Sequence, residues 1–157
     1  IRDVVQSRGL GDVYKRQFLG VWTSTNYAYL ACADFPTCQG TYLPEMDFKS
    51  GFNLNQEVGP NYLYGLLDNP ARVAIHYSHR VSAILVTFIF LILMSRLWFS
   101  EAAPLASTLG ILLLTQIALG ITNVVYVLPL YVAIAHNLFA ACLLLATFTV
   151  NYLAWKK

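Results

Sequence analysis

Six residues of this 157-residue chain have types and spacings that could do chemistry. They are the histidines His76, His79 and His136, the arginine Arg80, and the cysteine pair Cys32 and Cys38. All three histidines lie in long apolar stretches, where ionisable groups are rare and usually mark a function, although a lone one is often a structural hydrogen-bonder. Position decides between these. His79 lies seven residues beyond Arg72, and His136 seven beyond Pro129. At about 1.5 Å per helical residue, both fall roughly 10 Å below the same surface. Two imidazoles at one depth on two helices are what the axial ligands of a single haem require. Small residues flank both on the same helical face, Ser82 and Ala83 beside His79, Ala133 and Ala140 beside His136. They leave a slot for a flat ring, or serve as ordinary close-packing positions.

Arg80 is costly within a membrane unless it is paired or snorkels, and haem propionates are one possible counter-charge. His76 stands one turn above His79 on the same face, placed to line a haem edge or to bond an outer-loop group rather than to ligate iron. Gln116, Gly120 and Asn123 form a polar, close-approach stripe at i, i+4, i+7, read equally as helix packing or as a cofactor contact.

These residues need elements to hold them, and the composition says which. Apolar residues make up 57 % of the chain and charged residues 11 %, against about 25 % charged in a soluble domain. That excludes a disordered chain, an ordinary cytosolic enzyme and a nucleic-acid binder that works through a basic surface. Residues 102–155 contain no Asp, Glu, Lys or Arg, and residues 73–95 contain only Arg80. A bilayer core asks for roughly 20 apolar residues per helix. Residues 72–98, 105–128 and 131–155 meet this, with Pro129 marking the turn between the last two. Residues 18–31 read as the end of a truncated fourth span. The predicted fold is therefore all-α, an integral membrane helix bundle with three complete spans.

Basic residues near helix ends set the orientation. Arg96, Lys156 and Lys157 lie on one side, which becomes cytoplasmic, with Trp98 and Trp155 as interfacial anchors. The loop of residues 32–71 carries Asp34, Glu45, Asp47, Glu57 and Asp68 against one base, Lys49, and faces outward. Its CADFPTC segment holds Cys32 and Cys38, one pair on the oxidising side. A disulfide is the leading reading and a free redox pair the alternative, since zinc sites use tighter, doubled spacings. Cys142 reads as a small packing residue.

The formal charge of +2 is lopsided: residues 1–17 hold four of the ten basic and two of the eight acidic residues. That segment lacks an initiating Met, apolar periodicity and the apolar region of a signal peptide. It resembles a translated sequencing-adapter tail, a non-native extension. Residues 18–157 then carry six charges of each sign and read as part of a longer chain.

The segments WTSTNYAYLACADFPTCQG, LLDNPARVAIHYSHR, QIALGITNVV and LPLYVAIAHN resemble, in order and topology, the carboxy-terminal half of the CtaA-type heme A synthase family. The resemblance covers essentially all of residues 18–157. It implies eight transmembrane helices in two similar four-helix halves, in a bacterial inner (plasma) membrane. It implies oxidation of a methyl group of heme O to the formyl group of heme A. It implies a heme b in this half, ligated by His79 and His136. Heme O as substrate, membrane lipid, the amino-terminal half and heme O synthase are the implied partners, and nucleic acid is not one. The family's first half carries a catalytic Glu three positions before its His-Arg pair. The corresponding position here is His76, so the catalytic residue is expected outside this chain, and the chain alone is expected to be inactive. Two alternatives stand: a b-type cytochrome membrane subunit of another redox chain, and a non-catalytic membrane assembly module.

Overall fold

A computed structural model describes residues 10–55, 66–100 and 102–156, with side chains from residue 18 onward. Glu57, Glu101, Lys157 and residues 1–9 of the expected non-native tail lie outside the described residues. Those described form helices and no named strand: α1 (Leu10–Thr25), a 3₁₀ turn (Ala28–Leu30), a short α2 (Phe48–Gly51), then α3 (Asn69–Trp98), α4 (Ala103–Val125) and α5 (Leu130–Lys156). The last three are long and apolar enough to cross a membrane. The chain is thus a membrane helix bundle. α1 runs without a break through residues 17 and 18, where the sequence alone suggested a junction.

Each helix boundary has a local cause. Pro70 and Pro104 sit in the first turns of α3 and α4, where the N–H that proline lacks has no intrahelical partner to lose. α4 ends where Val127 and Leu128 adopt positive φ, 56° and 61°. The turn is sustained by backbone bonds from Tyr126 N–H to Thr122 O and from Leu128 N–H to Asn123 O, at 3.0 and 2.7 Å. These satisfy carbonyls that a helix end leaves open.

The four long helices pack as a ring. α1 lies against α3, α3 against α4, α4 against α5, and α5 returns to touch α1. α3 and α5 therefore face each other across the bundle rather than side by side. A dry core of Val86, Phe90, Leu97, Ala106, Leu109, Leu113, Leu143 and Val150 fills the end away from the Cys32–Cys38 loop. Outward faces carry Ile84, Leu85, Phe88 and Leu114, all more than half exposed. That pattern suits hydrocarbon as solvent. The histidines lie above the dry core, at the loop end.

Candidate functional site: two histidines across the bundle

His79 projects from α3 and His136 from α5, the opposed pair of the ring. Each abuts a glycine of a neighbouring helix. A Cβ on Gly20 of α1 would lie 3.7 Å from His79 Cε1, and a Cβ on Gly120 of α4 would lie 3.2 Å from His136 Cε1. Gly20 stands five residues before Thr25, the end of α1, and Gly120 five before Val125, the end of α4. Both glycines are therefore about 7 Å inside their helix ends. The two imidazoles meet their glycines at matching levels.

The stripe on α4 faces His136. The Gln116 amide nitrogen lies 3.2 Å from His136 Nε2, and Gln116 is 3 % exposed. Its Oε1 and the Oδ1 of Asn123 are buried with no hydrogen-bond partner among the described residues. Of the two readings the sequence left open, helix packing is what is seen: Gln116 and Gly120 of the stripe lie against His136 of the neighbouring helix.

His76 and Arg80 turn toward the loop. His76 Nδ1 accepts the Cys32 backbone N–H at 3.3 Å, and the ring is nearly fully buried. Arg80 donates to the carbonyls of Thr37 at 2.7 Å, and of Cys32 and Asp34 at 2.8 Å each. Its guanidinium also lies 6.0 Å from the centre of the Phe35 ring, within cation–π range. The sequence offered propionates or snorkelling to offset the Arg80 charge. The structure gives backbone carbonyls of the Cys32–Cys38 loop, a partner set that depends on the loop's path and has no local sequence signal.

The loop is built to present those carbonyls. Cys32 and Cys38 are joined as a disulfide, and Cys142 is free. The Asp34 carboxylate accepts from the Thr37 hydroxyl and from the backbone N–H groups of Gln39 and Gly40. These bonds, the Thr37 hydroxyl first and the Gly40 N–H next, hold the Asp34 carboxyl down to about 2. Below the ring, Asp47 caps α2 by accepting the Ser50 N–H at 3.1 Å. That bond, with the Ser50 hydroxyl ahead of it as the larger influence, lowers the Asp47 carboxyl. Trp22 of α1 donates to Gly51 O at 2.9 Å, seating α2 on the bundle. A Cβ at Gly51 would sit 2.7 Å from Ala71 O, so only glycine permits this approach. Gly20, Gly51 and Trp22 were not singled out in the sequence, because their role depends on which helix packs where.

A bare metal ion and a haem make different demands here. Among the described residues no three His, Cys, Asp or Glu side chains gather to hold an ion. A haem iron brings four ring nitrogens and asks the protein for axial ligands only. Two imidazoles on opposed helices, each beside a residue without a side chain, fit that demand.

The family model for COX15-CtaA, described as a cytochrome oxidase assembly protein, matches residues 8–148. A heme A synthase of Shewanella oneidensis is 43 % identical over 140 residues, covering 88 % of this chain and 42 % of that protein. A heme A synthase of Methylobacterium radiotolerans is 35 % identical over 131 residues, covering 81 % of this chain and 33 % of that protein. The chain therefore spans less than half the length of these curated relatives. No solved structure matches it significantly.

Proposed function

Since the chain belongs to the COX15-CtaA family of cytochrome oxidase assembly proteins, we propose that it is the second half of a heme A synthase and forms that enzyme's haem b site. What supports this is that His79 and His136 stand on α3 and α5, which do not adjoin in the helix ring, each against a glycine of a neighbouring helix. In this reading His79 and His136 hold the iron. Bound there, the haem supplies one-electron redox chemistry, and the protein tunes it through ligation and local polarity. Gln116 and Asn123 supply that polarity from α4. His76 and Arg80 fix the outer loop above the site rather than entering the redox chemistry.

The enzyme so constituted takes heme O and oxidises its methyl group to a formyl group. The catalytic carboxylate of that reaction belongs to the other half, because the position three before the His79-Arg80 pair is His76 here. The cytoplasmic side is the one that carries Arg96 and Lys156, and the Cys32–Cys38 loop is periplasmic.

Pigment analysis tests the reading. Cells lacking the gene should accumulate heme O and lose heme A. Unchanged heme A would point to a b-type cytochrome subunit of another chain.

A further inference from the structure

We propose that Gln116 is a positioning residue that sets the tautomer of His136 and holds its Nε2 until iron takes that nitrogen. The proposal rests on the haem reading above. It starts from a single contact, the Gln116 amide nitrogen 3.2 Å from His136 Nε2. A primary amide nitrogen has hydrogens to give and no lone pair to offer. In the proposed arrangement this amide donates to His136 Nε2, which leaves the ring proton on Nδ1. That is the tautomer in which Nε2 has its lone pair available, the form a metal ligand must have.

Packing alone does not require an amide at this position. Gln116 is 3 % exposed and its Oε1 has no hydrogen-bond partner among the described residues. Leaving a buried acceptor unmet is a cost that a Leu or Met of similar volume would avoid. The residue retains a cost that only its amide hydrogens offset. One turn along α4, Gly120 lies against Cε1 of the same ring. α4 therefore defines the ring twice, by a donor at Nε2 and by a bare backbone beside Cε1. A haem iron held by His136 would take Nε2 in exchange for the hydrogen bond from Gln116. No proton leaves the ring and no electron moves.

The test uses the purified protein in nanodiscs, haem-free and labelled with [15N]histidine, with His136→Ala to assign the signal. Solid-state NMR of the wild type should show His136 with Nδ1 protonated and Nε2 bare. Gln116→Met, which keeps volume and removes the donor, should populate the Nε2–H tautomer, and Gln116→Leu should agree. Hemin added to either variant should be taken up several-fold more slowly than by the wild type. The final spectrum should still be low-spin, because His136 itself is retained. Unchanged tautomers in Gln116→Met, an Nε2–H wild type, or unchanged uptake would overturn the proposal. Failure of the haem reading has a separate signature: His136→Ala would take up hemin with the wild-type spectrum.

Discussion

At Gly120 a methyl group decides whether a ring can stay where it is. A Cβ there would meet His136 Cε1 at 3.2 Å and Nδ1 at 3.8 Å, so the imidazole must shift by a few tenths of an ångström. Gly120→Ala should broaden or lose the low-spin haem absorption. Gly20→Ala is the matched control, since its Cβ would meet His79 Cε1 at an ordinary 3.7 Å. It should keep the spectrum, and gains up to about 1 kcal/mol of helix propensity. Asp34 gives a pH prediction. Its carboxyl is held at about 2 in the folded loop against 3.8 ordinarily. A depressed folded pKa contributes stability that is complete above the ordinary value and is lost as pH falls through the folded one. Hydrogen exchange at residues 34–41 should therefore rise between roughly pH 4 and pH 2. Asp34→Asn should abolish that step, and a step that persists in the variant would contradict the assignment.

The decisive element is α3, which carries His79 and, on the neighbouring residue, the arginine that grips the loop. Arg80 donates to the carbonyl of Cys32 at one end of the disulfide ring and to those of Asp34 and Thr37 within it. Charge-assisted bonds of this kind contribute about 1.5–3 kcal/mol each and are not additive. Arg80→Ala should raise proteolysis of the loop at residues 32–41 and lower thermal stability. Arg80→Lys should restore it only in part, because an ammonium lacks the planar fork that reaches three carbonyls at once. Protection equal to wild type in Arg80→Ala would show that the disulfide alone holds the ring. Little of this coupling was legible beforehand. Residue counting found the depth of His79, because rise per residue is local information. The pairing of Arg80 with Thr37, and of His76 with Cys32, joins residues more than forty positions apart and follows only from the traced loop. Gln116 occupied an intermediate position: its stripe was visible as spacing, its partner was not.

For the whole molecule, the sequence was most informative where the physics is coarse. Apolar stretches long enough to span a bilayer announced α3, α4 and α5 directly. The ring order was not announced, since it depends on which small residues allow close approach. That order places α3, which carries His79, opposite α5, which carries His136. Orientation follows from the basic residues: a reporter fused after Lys156 should be active only in the cytoplasm, and periplasmic activity would reverse the assigned sides. The central claim is that His79 and His136 ligate one haem. An absorption and electron paramagnetic resonance spectrum of the purified protein, loaded with hemin, tests it most directly. The wild type should give a low-spin bis-imidazole signal that His79→Ala and His136→Ala each abolish. The same signal persisting in either variant would contradict the account.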